Sequence, residues 1–422
     1  MYKTKKLSSI KVPVKEANKI LGKIELINSK LILNCEFTEL KDIYVVIEER
    51  TGLVVPPIFS FICNHHIDKG NKSSSMEARA LRLYFDFLAD KKLKWNIGSD
   101  KIIHRPIKKF SSWLEKQFEE GAIAGSTATN YFNAVTRFYF YHLCIKTPFE
   151  STPIEFREFS FNNLNNDPLA HLVGRSYTKI TSDCNPRISS TITSSELKPL
   201  SEADLKFFIY KLKKHSSEEF FLIVILSLMS GLRAGEIGDL RTDMFNEHDD
   251  EQKAYLLKLG PQQNHKTKHN SELPVLIPTF LVSIIKKYTT SSQYLKKLNK
   301  FFKKGKTRGN VFLTRHGNPY SQHTISTLFN QFLHSKIYNE RPNFDYKFHD
   351  LRVTFGVQTM AAALNVDGLS KSEALAYTQV QMRHKYLSET LKYLNYYHMH
   401  LAIIEQANIN ENLLEKILEE AF

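Results

Sequence analysis

The sequence predicts a mainly α-helical protein with small antiparallel β-sheets, divided into two lobes. Three observations carry that prediction. Apolar residues recur at helical spacing through much of 72–148 and 197–400. β-branched and aromatic runs are short and bounded by turn residues. Between the two regular regions, residues 149–196 are rich in Ser, Thr and Asn, hold no sustained apolar period, and read as a linker.

Taken in order, residues 1–70 contain the runs Ile43 to Ile47 and Val54 to Ile62, with turns at Thr51-Gly52 and Pro56-Pro57. They read as short strands with room for one helix, a mixed α/β domain whose role no motif decides. Cys63, His65 and His66 crowd together without zinc-finger spacing. In 72–148, Ser74 followed by Glu77 predicts a capping box. Leu81, Tyr84, Phe85 and Leu88 then mark one helix face. A second helix runs from about Pro106 to Glu119, with Phe110, Trp113 and Leu114 inward. A third starts near Ser126-Thr127 and carries Tyr131, Val135, Phe138, Tyr139 and Leu143. These make a compact bundle whose aromatics belong to its core.

In the second lobe, Ser201 opens a helix with Leu205, Phe208 and Leu212 on one face. The run Phe220 to Met229 is apolar all round and must be buried. Strands follow at 252–259 and 272–277, then a basic helical run over 281–304, a short strand at Val311-Leu313, and helices to the end. The tail, 401–422, is acidic, with Ile403, Ile404, Leu413, Leu414, Ile417 and Leu418 on its apolar faces.

Composition narrows the function. The chain has 422 residues, with 58 Lys and Arg against 44 Asp and Glu, a formal net charge of +14. A surplus of that size favours a polyanionic partner, nucleic acid first. Four cysteines without paired spacing fit a reducing compartment. No apolar run approaches a membrane span, and no signal-type core follows the basic N-terminus. The expectation is a soluble intracellular protein.

Four separated segments carry chemistry. In Ser230-Gly-Leu-Arg-Ala-Gly-Glu236, Arg233 sits between two glycines at the end of the buried helix, with Glu236 placed to orient it. A structural ion pair is the plain alternative. Asn264-His-Lys-Thr-Lys-His-Asn270 lies between the two candidate strands and, alone, is an ordinary solvated turn. His349 and Arg352, at i and i+3, share a helix face. Arg383-His384 is followed by Tyr393 nine residues after the histidine, where a lone His or Tyr is usually a packing residue. Together the set supplies a metal-free attack on a phosphodiester. Arginine forks hold the non-bridging oxygens and stabilise growing charge. A tyrosine attacks once the site favours its anion. A hairpin lysine protonates the departing sugar oxygen, and histidines move the proton or hydrogen-bond the phosphate.

On these residues the stretch from about 197 to 400 resembles the catalytic domain of the tyrosine recombinase (phage integrase) family. Ser230 to Glu236 is similar to its first arginine box, and Lys266-Thr267 before a Pro-ended strand to its hairpin lysine. His349 to Arg352 is similar to its H-x-x-R box, and His384 with Tyr393 to its last box. Residues 72–148 resemble, less specifically, its helical core-binding domain. The resemblance implies a helical core-type DNA-binding domain and a catalytic domain forming a clamp on DNA. It implies Tyr393 as nucleophile making a 3′-phosphotyrosine, Arg233 and Arg352 as phosphate clamp, Lys266 as general acid, His349 as acid–base partner and His384 as phosphate donor. It implies no metal and no cofactor. Lys268 competes with Lys266, and Tyr396, Tyr397 and Tyr386 compete with Tyr393.

The chain departs from the family's pattern in three places. Met382-Arg383 stands where Leu-Gly is usual, Val353 where a histidine is common, and the interval from Arg352 to His384 is lengthened around Asn365 to Ser370. Backbone phosphate contacts are expected from Arg79, Lys108, Lys109 and Arg137 in the bundle. They are also expected from the run Lys286 to Arg308, which holds nine basic residues and no acid, with Lys303, Lys304 and Lys306 at its end. The function implied is a site-specific recombinase of a mobile element, with a type IB-like topoisomerase or an idle DNA-binding regulator as alternatives. The partners are then double-stranded DNA with attachment sites, further protomers in a tetramer contacted through the tail, and accessory proteins, with no membrane. The location is the cytoplasm, at the nucleoid.

Overall fold

A computed structural model describes every residue except 14, 17–18, 21, 28–29, 36, 69–73, 162–176, 189–196, 246–252, 266, 268–271, 273 and 422. Side chains are not described for the remaining residues of 13–36 and 158–180, or for 404 and 407–421. The chain forms two compact units, Met1–Ser194 and Ser195–Phe422.

In the first unit, β1 (Tyr2–Pro13) pairs antiparallel with β6 (Phe37–Glu48), Tyr2 opposite Glu48. Between them lie two small hairpins, β2 (Lys15–Glu16) with β3 (Lys19–Ile20) and β4 (Gly22–Ile27) with β5 (Lys30–Cys35). Helices α1 (Pro56–Asp68), α2 (Ser75–Asp90), α3 (Pro106–Glu119) and α4 (Gly125–Cys144) follow, then the pair β7 (Phe156–Phe161) and β8 (Tyr177–Ser182). The run Val54 to Ile62, expected as a strand, is instead mostly α1. Prolines cost no hydrogen bond in a first helical turn, and buried Ile58, Phe61 and Ile62 fall at helical spacing. The capping box also fails. The Ser74 hydroxyl accepts from Tyr44 N at 3.1 Å, and Glu77 turns inward to His65 Nε2 at 3.0 Å.

One core joins Leu40, Ile43 and Val46 of β6, Phe61 of α1, Tyr84 of α2, Phe110 of α3 and Phe138 of α4. Residues expected as a separate N-terminal domain therefore share their core with the bundle. The stretch expected as a linker adds Ile154 and Cys184 to that core. Its Glu155 and Asp183 neutralise the buried Arg105, at 2.8 and 2.5 Å.

The second unit is built on α5 (Glu202–His215) and α6 (Glu218–Ser230), each started by a serine hydroxyl, of Ser201 and Ser217, that accepts a backbone N–H. Leu222 to Leu226 of α6 are buried, each such side chain contributing roughly 1.5–3 kcal/mol. After the short α7 (Ala234–Gly238), β9 (Ala254–Leu257) pairs antiparallel with β10 (Val275–Pro278). The basic run is two helices, α8 (Thr279–Thr289) and α9 (Ser292–Phe302), because the Ser291 hydroxyl caps a new start. Val311-Leu313 is no strand: in this region Asn310 and Leu313 make only isolated bridges, to Arg241 and Pro319. Helices α10 (Gln322–Lys336), α11 (Phe348–Leu364), α12 (Lys371–Met382) and α13 (Leu387–Ala421) complete the unit. Its core runs from Leu200 through α6 to Leu351 of α11. The tail continues α13, the helix that carries Tyr393. No helix among the described residues is long and apolar enough to cross a membrane.

Candidate active site

The site forms where α6, α11 and the α12–α13 turn meet. Helix α6 ends at Gly231, whose φ of 62° is the left-handed cap that glycine adopts without strain. A Cβ there would lie 2.5 Å from the Phe355 ring of α11, so the close approach also requires glycine. Arg352 reaches into the junction from α11. Its Nη1 donates to the Gly231 carbonyl and its Nη2 to that of Met382, joining the ends of α6 and α12. It is 1% exposed. Burial, then the neighbouring Arg233 and Arg383, push its guanidinium below its ordinary value, while Glu236 and Tyr393 oppose the shift. Such a group still carries its charge at neutral pH.

Arg233 precedes α7 and is fixed twice by Glu236, through its backbone N at 2.9 Å and Nη1 at 3.1 Å. The buried Glu236 also accepts from Arg383 Nη2, at 2.7 Å. Despite its burial, these arginines hold its carboxyl below the usual range. His265, from the hairpin, is buried with Nε2 3.0 Å from the Glu236 carbonyl oxygen.

Tyr393 lies six residues into α13, 5% exposed. Burial raises its phenol above the ordinary value, and Arg352 and Arg233 are the groups that pull it down. The His384 ring stacks on it at 5.7 Å between centroids, its Nδ1 3.0 Å from the Thr390 hydroxyl. Gly356, one helical turn beyond Arg352, makes space for the tyrosine: a Cβ there would lie 2.4 Å from Tyr393 Cε1.

Arg233, His349, Arg352, His384 and Tyr393 line one cavity of about 240 Å³, together with Lys198, Val353 and Glu389. A larger groove of about 1220 Å³ shares Arg233 and His349 with it and includes Thr267. Lys266 and Lys268, on either side of Thr267, lie outside the described residues.

The expected DNA contacts divide. Arg79, Lys109, Lys303 and Lys306 are exposed. Lys108 is half-buried and, with Lys109, rims a cavity of about 500 Å³ floored by Phe87 and Trp113. Arg137 Nη2 lies 3.4 Å from the buried Glu77, which ties it to the protein interior. Lys304 donates to the His316 carbonyl at 2.7 Å and to Asn318 Oδ1 at 2.6 Å, bracing a loop.

The sequence reading missed the shared use of Glu236, the inward Arg383, the space at Gly356 and the presence of Lys198 at the cavity. Of these only Gly356 leaves a local signal, a glycine inside a helical pattern one turn beyond a functional arginine.

Arg233, His349, Arg352, His384 and Tyr393 thus line one cavity on a helical unit with a small hairpin, the class of site expected for DNA strand transfer of the tyrosine type. Residues 191–393 match the phage integrase family. Among solved structures the chain is similar to the XerH site-specific recombinase bound to a palindromic difH substrate, at 15% identity and a TM-score of 0.51, covering 80% of this chain and 79% of that one. It is also similar to the Tn1549 transposon integrase in complex with a circular intermediate DNA, at 13% identity and a TM-score of 0.48, covering 80% and 94%. The lambda integrase dimer bound to a core site is similar at 11% identity and a TM-score of 0.43, covering 79% and 94%. No curated protein matches by sequence.

Proposed function

We propose that the protein is a site-specific DNA recombinase that cuts and rejoins DNA through a 3′-phosphotyrosine intermediate and serves the integration or excision of a mobile element. The observation that carries this is the convergence of Arg233, His349, Arg352, His384 and Tyr393 on one cavity from segments 160 residues apart. With a scissile phosphate seated there, the Tyr393 oxygen attacks phosphorus, the bond to the 5′ oxygen breaks, and the tyrosine proton passes to His349. Lys266 protonates the departing oxygen, with Lys268 as its rival for that role. Arg233 and Arg352 stabilise the charge that grows on the non-bridging oxygens, where their effect is largest in the transition state. His384 adds a hydrogen bond to the phosphate. The new phosphotyrosine keeps the broken bond's energy for religation, so the cycle asks for no cofactor.

The same reading gives the bundle, with Arg79, Lys108 and Lys109, and the Lys303–Lys306 edge to backbone phosphates. It gives α13's extension to another protomer of a DNA-bound tetramer, supported by exposed Met399 just before the acidic tail and exposed Leu401 and Ile403 at its start. We place the protein in the cytoplasm at the nucleoid, where its cysteines remain reduced. Accessory proteins would set the direction of exchange.

The test uses a nicked duplex carrying a sequence selected for binding by the protein, incubated with a chelator. Wild type is expected to form a covalent adduct and Tyr393→Phe none. Binding without any adduct would favour an idle regulator, and relaxation of supercoils without site preference a topoisomerase.

A further inference from the structure

Arg383 occupies the turn between α12 and α13 with a φ of 49°, a left-handed conformation that costs a non-glycine residue roughly 1–2 kcal/mol. Its side chain does not escape to solvent. It runs inward, 1% exposed, and Nη2 meets Glu236 Oε2 at 2.7 Å. Nε and Nη1 are equally buried and have no hydrogen-bond partner among the described residues. A strained backbone and two unsatisfied donors on a buried cation are poor devices for stability. What the residue does achieve is local. Glu236 Oε1 takes Arg233 Nη1, and Oε2 takes both Arg233 N and Arg383 Nη2. A single carboxylate thus links the cavity arginine of the first box to the turn that delivers His384 and Tyr393. Three guanidinium groups, of Arg233, Arg352 and Arg383, surround that carboxylate, so the base of the cavity keeps an excess of positive charge.

We propose that Arg383 is a positioning residue for DNA cleavage, anchoring Glu236 so that Arg233 is held toward the scissile phosphate without being neutralised. Arg383 itself is not among the residues lining the cavity. This inference rests on the recombinase reading, so its test has one arm that depends on cleavage and one that does not.

The first arm compares wild type with Arg383→Gly and Arg383→Lys on the nicked duplex, measuring both affinity and adduct formation rate. Arg383→Gly is expected to slow adduct formation at least tenfold with affinity changed less than threefold. Arg383→Lys, which keeps the charge, is expected to recover most of the rate. Wild-type rates in Arg383→Gly would overturn the proposal, as would equal losses in the two variants that follow their melting temperatures. The second arm observes the Arg233 Nε–H resonance in arginine-labelled full-length protein, assigned with Arg233→Lys. It is expected to be sharp in wild type and in Arg383→Lys, and broadened in Arg383→Gly. An unchanged signal in Arg383→Gly would sink the positioning role even if no variant, wild type included, cleaves DNA. Absence of wild-type cleavage alone would count against the recombinase reading instead.

Discussion

At the scale of single residues, the site depends on groups whose burial works against their chemistry. Tyr393 is raised by burial against the opposing pull of Arg352 and Arg233, so the loss of either arginine removes both a proposed phosphate ligand and a charge that favours the phenolate. Arg233→Ala or Arg352→Ala is expected to lower the adduct rate by a factor of about 100 or more, as for removal of one preorganised donor, while DNA affinity falls far less. Rapid-quench cleavage beside filter binding measures the two. Gly356→Ala places a methyl group against the tyrosine ring, and overpacking of this kind costs roughly 1–3 kcal/mol. We expect a lower melting temperature and a further loss of cleavage, because the ring displaced is that of the proposed nucleophile. Glu236 gives a pH signature. Its folded-state carboxyl is held low, so its contribution to stability is present above the unfolded value of about 4.3 and lost as pH falls through the folded one. The melting-temperature gap between wild type and Glu236→Gln is therefore expected to be widest at neutral pH and to close on acidification below about pH 4. Arg233, His349, Arg352, His384 and Tyr393, which the structure brings to one cavity, were proposed from the sequence because their spacing is local to each box. The Glu236–Arg383 contact was not, since it joins residues 147 apart and no local pattern pairs them.

At the scale of elements, the helices read well and the ends less well. Apolar periodicity located α2, α3, α4 and α5, because a face that packs on a core imposes its period on the sequence, while α6 was located by being apolar all round. The run around Ile58 misled, since a short apolar stretch suits strand and helix alike and only the paired prolines favoured the helix. Ser74 misled differently: its hydroxyl is claimed by Tyr44 of β6, a partner that no local pattern reveals. The cap at Gly231 fixes the end of α6 and with it the carbonyl that receives Arg352. Gly231→Ala must bear a left-handed alanine and a clash with Phe355. It is expected to destabilise the protein by about 2–4 kcal/mol, read by chemical denaturation, and to loosen the Arg352 anchor.

At the scale of the whole molecule, the net charge of +14 pointed to a polyanion without saying which residues would touch it. The structure sorts that surplus. Arg137 and the exposed Lys304 already hold partners within the protein, whereas Arg79, Lys109, Lys303 and Lys306 are exposed. Replacing Lys303 and Lys306 with alanine is expected to weaken binding uniformly across DNA sequences. It should also reduce the slope of log affinity against log salt by about 1 per residue. Truncation after residue 400 is expected to leave cleavage of one site intact and to abolish joining of two, measured by synapsis on paired sites.

The central claim is that one tyrosine becomes joined to DNA, and peptide mapping of the covalent adduct tests it most directly. Nuclease trimming and proteolysis of the trapped complex should leave a nucleotide remnant on Tyr393. A remnant on Tyr386, Tyr396 or Tyr397, or a protein that binds and selects its site yet never carries one, would contradict the account.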